Sequence, residues 1–449
     1  MKKLILLSFL TFISFTASYS QQLDTTKKMP LKKQGWNLGI LPAVSFNTDL
    51  GFQYGALGNL FYFGDGEVYP DYYHSIYLEA SKYTKGSGFF RLYYDSDYLL
   101  SNKTFAFDIS YLPDDAYDFY GFNGLSSVYH QDWENENANG YKSRMFYNYQ
   151  RKLLRVKATL QSPVKNLSSL HYVVGAGLLN YDIGSVDIEK LNKGKDSEDQ
   201  LPPIEEQPGL YEKYRNWGLI SEDETNGGTI TFIKSGFIFD TRNRKINPST
   251  GIYPEIIFFG ALPELSENAF LKISAMHRQY VSISKKANLT FAYRLGYQTT
   301  LAGKTPYYFQ THLISSFFKS ALFEGLGGEK SMRGMLRNRL VGDGVGYGNF
   351  ELRWKWWSFQ LLNQNFYLAF NPFLDAGKIT KPIPVNTEKI PETARHLYYQ
   401  KGNHPVHLTY GLGLKIAMNE NFVLSADYGI ATRNQDGESG FYINMNYLF

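Results

Sequence analysis

The sequence predicts an all-β protein, a 16-stranded antiparallel transmembrane β-barrel with an outer loop folded into the lumen. Three observations predict this fold class. Apolar and polar residues alternate along most of the chain, 17% of the residues are aromatic, and the mean hydropathy is nevertheless negative. Barrels combine these properties because one face of each strand meets lipid and the other faces the lumen. No apolar run long enough for a membrane-spanning helix follows the N-terminal region.

The N-terminal region reads as a secretory signal peptide, residues 1–20. Lys2 and Lys3 form its positive end, residues 4–15 its apolar core, and residues 18–20 its small-residue cleavage site. An inner-membrane anchor is the alternative, but the apolar core is short for one. Residues 21–34 predict a short periplasmic tail with four lysines, and residues 35–449 the barrel, exported to a Gram-negative outer membrane.

The strands follow from the alternation, taken in chain order. The predicted strands span residues 36–46, 50–63, 71–83, 88–98, 103–112, 141–163, 169–182, 228–240, 250–260, 268–283, 287–300, 345–356, 365–376, 406–418, 421–431 and 440–449. In the eleventh, Phe291, Tyr293 and Leu295 face lipid, whereas Arg294 and Gln298 face the lumen. A slip of one residue would place charges in lipid, so the register is strongly specified.

The connections differ sharply in length. Four long polar loops span residues 113–140, 184–226, 301–344 and 378–405. Barrels keep their short turns on the periplasmic side, and each of these loops follows an odd-numbered strand, so we expect all four outside and both termini in the periplasm. Residues 141–163 could instead form two strands, which would move the loop 184–226 to the other rim. With one strand over residues 141–163, all four long loops follow odd-numbered strands, and we therefore favour one strand there.

The last strand carries the strongest single pattern. Over residues 441–449 one face of the predicted strand is apolar and the other carries Asn444 and Asn446, and Phe441, Tyr447 and Phe449 are the aromatic members of the predicted lipid-facing set. This dyad pattern is typical of the closing strand of an outer-membrane barrel. Trp354, Trp356 and Trp357 likewise predict an aromatic girdle in contact with outer-membrane lipids.

One loop and the two strands after it carry a specific set of motifs. The loop tip contains Gly327 and Gly328 and then residues 332–335, which read Met-Arg-Gly-Met. The next strands contain Asn349, Glu351 and Arg353, and then Phe373, Asp375 and Gly377. In order and spacing this set resembles the BamA/TamA superfamily, also called the bacterial surface antigen family. Met335 stands where that family usually has Tyr.

The side-chain chemistry gives these motifs a physical meaning. Glu351, Arg353 and Asp375 lie on the non-aromatic faces of adjacent strands, so they are expected to project into the lumen. Arg333 is suited to bridging two carboxylates, because its planar fork bonds two acceptors at once and stays charged. Gly334 permits a sharp turn close to the wall. We expect Arg333 to pin the loop inside the barrel. Ordinary charge pairing beneath an external loop is the alternative.

The resemblance implies a non-enzymatic role in inserting or translocating an unfolded protein client. Members of that family carry periplasmic POTRA domains, whereas only residues 21–34 precede the first predicted strand here. The sequence therefore indicates a barrel-only member that works with a separate periplasmic or outer-membrane protein partner. A seam between the first and last strands would open to expose strand edges to the client.

Other functions remain open from the sequence. A passive channel or porin is the main alternative, and lipid transport or a barrel hydrolase is less favoured. No residue pattern points to a catalytic group or a cofactor, and His404 with His407 lacks a third metal ligand. The acidic loop 184–226 reads as a solvated surface loop rather than an ion site. The net charge of +4 is too small to suggest nucleic acid.

Overall fold

The computed structural model describes residues 33–449 except residues 70, 102, 246, 317–324, 362–363, 403 and 419–421. The predicted signal peptide and nearly all of the predicted tail lie outside the described residues, and both remain predictions. The described chain forms one antiparallel sheet that closes on itself.

The strands follow one another around the wall, and each pairs with its neighbours in sequence. We number them β1 (Trp36–Pro42 and Ser45–Asn47), β2 (Gly51–Tyr62), β3 (His74–Tyr83), β4 (Gly88–Leu100), β5 (Lys103–Asp118), β6 (Asn148–Val164), β7 (Leu167–Gly184), β8 (Gly227–Phe239), β9 (Gly251–Ile252 and Glu255–Ala261), β10 (Phe270–Ser284), β11 (Leu289–Gly303), β12 (Gly344–Leu361), β13 (Gln364–Lys381), β14 (His407–Met418), β15 (Phe422–Ala431) and β16 (Ser439–Met445).

The sixteen-stranded antiparallel barrel is confirmed. Two strands are each interrupted, β1 after Pro42 and β9 just before Glu255, where Pro254 stands. Proline has no backbone N–H to give to a ladder, which explains a break at both places. The pairing of β1 with β2 keeps the same register on both sides of its interruption, from Pro42 opposite Ala56 to Ser45 opposite Gln53.

The alternation of faces along the strands also agrees with the sequence. In β11, Leu295 and Tyr297 are exposed on the outer surface, whereas Arg294 and Gln298 are buried inside. In β12, Trp354 is exposed and Glu351 is fully buried. The inner wall is therefore polar and packed, because each strand turns alternate side chains inward.

The long loops gather at one end of the barrel, which we call the long-loop rim. They span residues 119–147, 185–226, 304–343 and 382–406, and each follows an odd-numbered strand. Strand β6 is a single strand that begins at Asn148, so residues 141–147 belong to the loop before it rather than to the predicted strand. The loops contain helices α1 (Ile188–Asn192), α2 (Leu210–Asn216) and α3 (Glu392–Tyr398). Within the described residues, no helix is both long and apolar enough to cross a membrane.

These loops pack together into a covering layer, the outer cap. Its buried aromatic residues come from all four loops and include Phe119, Phe122, Trp133, Phe146, Tyr211, Tyr214, Tyr307, Phe309 and Tyr398. The rings of Phe119 and Tyr214 meet edge to face with centroids 5.2 Å apart. Such pairs add about 0.5–1.5 kcal/mol each beyond the burial of their area. The long-loop rim is therefore covered by a second hydrophobic core and not by loose loops.

Candidate functional site

Arg333 lies at the tip of the loop between β11 and β12, inside the barrel. Its Nε and Nη2 donate to the two carboxylate oxygens of Asp375, each at 3.0 Å. Its Nη1 donates to Glu351 at 2.8 Å, and only 1% of its side chain is exposed. The planar guanidinium thus satisfies two carboxylates at once, one of them through both of its oxygens.

The wall beneath the tip is built by the alternation of β12 and β13. Asn349 and Asp375 stand opposite each other in the ladder, and both point inward. The amide of Asn349 donates to Asp375 at 2.8 Å and to the main-chain oxygen of Ser331 at 2.6 Å. The strand residues therefore hold both the arginine and the backbone of the loop tip.

Further charges extend this network. Arg353 donates from Nε to the second oxygen of Glu351 at 2.9 Å. On the neighbouring strands Lys415 lies 2.7 Å from Asp427, which in turn lies 3.7 Å from Arg333. The cations Arg333, Arg353 and Lys415 thus face the carboxylates of Glu351, Asp375 and Asp427. Buried charges persist only when they are paired in this way, since an isolated one costs several kcal/mol.

The glycines of the tip allow it to lie against the wall. Gly334 has φ of +91°, and a Cβ there would lie 2.3 Å from the carbonyl carbon of Gly429 on β15. Gly327 and Gly328 also have positive φ, at +118° and +81°. Only glycine combines this conformation with so close an approach, so a side chain at position 334 would push the tip off the wall.

Met332 and Met335 fill the apolar part of the tip. Both are buried in a small cluster with Leu326, Leu340 and Ile379. Met335 therefore packs among aliphatic side chains at the position where the sequence resemblance leads one to expect Tyr. A flexible thioether suits such an irregular gap.

The barrel closes through a short seam between β1 and β16. Their ladder contains two residue pairs, Phe46 with Ile443 and Asn47 with Tyr442, whereas β15 and β16 share seven. Within the described residues, Trp36–Pro42 pair with β2 and not with β16. The half of β1 nearest its start therefore presents a free strand edge in the wall of the barrel.

The loop tip touches both strands of this seam. The amide of Asn47 on β1 donates to Glu329 at 2.6 Å, and the N–H of Gly334 donates to the hydroxyl of Tyr442 on β16 at 3.1 Å. Asn47 and Tyr442 are themselves a seam pair. The tip thus bridges, from inside the lumen, the two strands whose backbones are least connected.

The end of the last strand departs from the sequence prediction. Strand β16 ends at Met445, and Asn446 adopts a left-handed conformation with φ of 70°. The chain then turns into the barrel, so Tyr447 is buried and Phe449 lies near Arg353 and Arg294. Of the predicted lipid-facing aromatic set, Phe441 keeps its outward place, exposed on the outer surface, but Tyr447 and Phe449 do not. Asparagine tolerates a left-handed backbone better than most residues. The left-handed turn at Asn446 therefore ends the alternation of inward and outward side chains along β16.

Two arginines of the same loop were missed from sequence. Arg337 lies 3.0 Å from Asp114 and also pairs with Asp118 on β5. Arg339 donates to the main-chain oxygens of Gly124 and Ser127 in the outer cap, at 2.9 and 3.0 Å. The loop therefore ties the inner wall to the cap through three arginines. Their close spacing in one glycine-rich loop is the signal that could have revealed them.

The Omp85 superfamily domain matches residues 74–449 of this chain. No curated protein matches the chain.

Solved structures of similar fold are distant in sequence. The crystal structure of BamA from Haemophilus ducreyi lacking POTRA domains 1–3 is 16% identical, with a TM-score of 0.54 over 92% of this chain and 70% of that one. CdiB from Escherichia coli is 10% identical, with a TM-score of 0.55 over 93% of this chain and 64% of that one. The chain thus spans less than two thirds of the length of CdiB, and these likenesses show the fold alone.

Proposed function

The chain belongs to the Omp85 superfamily, and from this premise we propose that it inserts unfolded client proteins into the outer membrane through the seam between β1 and β16. It is an outer-membrane β-barrel of a family concerned with protein insertion and translocation. Barrels of this superfamily are not enzymes. The route through the seam and the unfolded outer-membrane client are our proposal.

The observation that carries the proposal is the free edge of β1. Trp36–Pro42 pair on one side with β2, and their other edge is not taken up by β16. Unpaired N–H and C=O groups at membrane depth are costly, because lipid offers them no hydrogen bonds. A client strand that pairs with this edge removes that cost and is itself brought into the plane of the membrane.

The outer cap favours lateral insertion over passage to the outside. Its packed aromatic core covers the long-loop rim, so a polypeptide would have to dismantle it to leave on that side. At the opposite end, a cavity of about 750 Å³ is lined by turn and wall residues that include Thr104, Gln161, Lys165 and His171. A client arriving from this side would meet an accessible mouth and a closed far end. The seam is then the route that needs the least disruption.

We also propose that a separate protein delivers the client to the short-turn end of the barrel. The mouth at this end is lined by turn and wall residues that a protein approaching from the periplasm can reach. A binding partner on the periplasmic side would supply client capture. Crosslinking in native membranes, followed by co-purification, tests this part independently. A barrel that captures no protein at its short-turn rim would contradict it.

The function is tested with purified barrel in liposomes. Unfolded outer-membrane proteins are added, and their insertion is followed by protease protection and by the gel shift of folded barrels. We expect faster insertion than in empty liposomes, and a further increase with the delivery partner present. Ion conductance without any effect on client insertion would instead support a passive channel.

A further inference from the structure

Residues 446–449, which we call the inturned segment, turn into the lumen, where Arg353 holds their last residue. The Nη2 of Arg353 donates to the main-chain oxygen of Phe449 at 2.8 Å. The guanidinium carbon also lies 4.3 Å from the ring centre of Tyr447 and 4.9 Å from that of Phe449. A cation close to two aromatic rings adds attraction to the hydrogen bond. The N–H of Asn446, where the segment begins, still donates to the main-chain oxygen of Val423 on β15 at 2.8 Å, so Arg353 is the polar anchor of the end that turns inward.

If it were extended, the inturned segment would pair with the free edge of β1 and lengthen the seam. Ile443 stands opposite Phe46, and β1 keeps one register along its length. Continued in that register, an extended segment would place Leu448 opposite Leu41 and Phe449 opposite Ile40. Both partners lie in Trp36–Pro42, the stretch of β1 with the free edge. The residues that could complete the seam are thus the ones that are turned away from it.

We propose that Arg353 is a positioning residue that latches residues 446–449 in the lumen and so keeps the β1 edge free for a client strand. Release of the latch lets the segment extend along β1 and lengthens the seam. The inference rests on the proposed function for its meaning, but the two positions of the segment can be measured without any client.

The latch is connected to the loop tip through one carboxylate. Glu351 accepts from Arg333 through one oxygen and from Arg353 through the other. Among the described residues, no hydrogen-bond partner faces the buried Nη1 atom of Arg353, so the arginine is not saturated in this position. A change in how the tip holds Glu351 therefore alters the anchor of the segment. The loop tip and the seam are coupled by this chain of contacts.

Cysteine crosslinking measures the position of the segment directly. The sequence contains no cysteine, so a disulfide between Leu41→Cys and Leu448→Cys reports only on pairing of the segment with β1. We expect little disulfide in the otherwise unchanged barrel. Arg353→Gln should raise the yield about tenfold, the effect of removing one charge-assisted hydrogen bond on a two-state equilibrium. Arg353→Lys keeps the positive charge, so it should raise the disulfide yield less than Arg353→Gln does.

Matched variants separate the latch from general damage. Arg91→Gln removes another buried lumen arginine that pairs with a carboxylate, Asp108, far from the segment along the wall, and should leave the yield unchanged. The pair Phe46→Cys with Ile443→Cys should crosslink in every variant, because these residues already face each other. If Arg353→Gln does not fold, Phe449→Ala removes the ring contacts without changing the arginine and should also raise the yield.

Two outcomes would overturn the proposal. The yield of the disulfide between positions 41 and 448 could stay low in folded Arg353→Gln or in folded Phe449→Ala. It could also rise equally with Arg91→Gln, which would indicate loosening of the whole barrel. Either result can occur while client insertion proceeds normally, so failure of the latch is distinguishable from failure of the proposed function.

Discussion

At the scale of single residues, the site depends on Arg333 and its two carboxylates. Arg333 bonds both Asp375 and Glu351 where almost no water reaches them. Removal of one partner from a buried charge pair typically costs ~3–5 kcal/mol, because the other charge is left without compensation. The network is thus a strong constraint on where the loop tip can lie.

The first prediction concerns the heat resistance of the folded barrel. Arg333→Ala strands Asp375 and Glu351, so it should lower the temperature at which the barrel loses its gel shift. Arg144→Ala is a suitable control, because Arg144 forms a solvent-exposed pair with Glu136 at 3.8 Å and such pairs contribute about 0–1 kcal/mol. Arg337 is unsuitable as a control, since it is itself buried and paired with Asp114. Equal losses for Arg333→Ala and Arg144→Ala would speak against the pin.

For single residues, the sequence predicts the site where the alternation of strand faces and the pairing of charges point to the same arrangement. The inward direction of Glu351, Arg353 and Asp375 follows from the faces of their strands, and Arg333 follows from the need to bridge two acids. The contacts of Arg337 and Arg339 could not be read in the same way. They depend on which loops fold over the rim, and no local pattern sets that arrangement.

At the scale of elements, the loop tip acts across the seam. Glu329 holds Asn47 of β1 and Gly334 holds Tyr442 of β16, so the tip reinforces a ladder of two residue pairs. The edge of Trp36–Pro42 is free, but β1 and β16 remain joined near the tip through Phe46 and Asn47. Opening of the seam therefore requires the tip to release at least one of these strands.

The second prediction tests this brace. Asn47→Ala leaves Glu329 without its amide partner and removes this side-chain link between the tip and β1. Hydrogen exchange of the β1 and β16 backbone should then become faster, while exchange in β6 and β7 should not change. Asn59→Ala, a substitution on the same inner wall one strand away, is the matched control. Unchanged exchange in both seam strands would show that the tip does not brace them.

The third prediction concerns the outer cap and follows from the pKa of Glu134. Burial and the nearby Asp118 carboxylate raise the pKa of Glu134 to about 8. The protonated form is therefore favoured in the folded cap, and its contribution to stability is lost as the pH rises from the unfolded pKa of 4.5 through about 8. Protease cleavage within residues 119–147 should be faster at high pH than at neutral pH. Glu134→Gln should reduce this dependence, and an undiminished one would exclude Glu134 as its cause.

The elements show why the last strand was predicted too long. Period-two alternation continues through Phe449 in the sequence, but the backbone leaves the strand at Asn446. Alternation specifies which face a residue takes only while the strand continues. The choice between extension and turning inward depends on Arg353, which lies far from the segment in sequence but close in the barrel.

At the scale of the whole molecule, the barrel is asymmetric from end to end and around its wall. Loops with a packed aromatic core cover one end, and a cavity opens at the other. Around the wall, one junction has far fewer paired residues than its neighbours. Strand number, register and loop parity could be predicted from sequence, because each follows from alternation and length. The packed cap and the short seam could not, since both arise from contacts between distant parts of the chain.

In the proposed function, clients enter the membrane through this seam. A disulfide between Phe46→Cys and Ile443→Cys would lock it, because opposed residues in an antiparallel ladder lie within reach of a disulfide. Both positions face outward, away from the lumen network. The oxidised barrel should fail to accelerate client insertion in liposomes, and a reducing agent should restore the activity. Full activity in the oxidised, crosslinked barrel would contradict client entry through the seam.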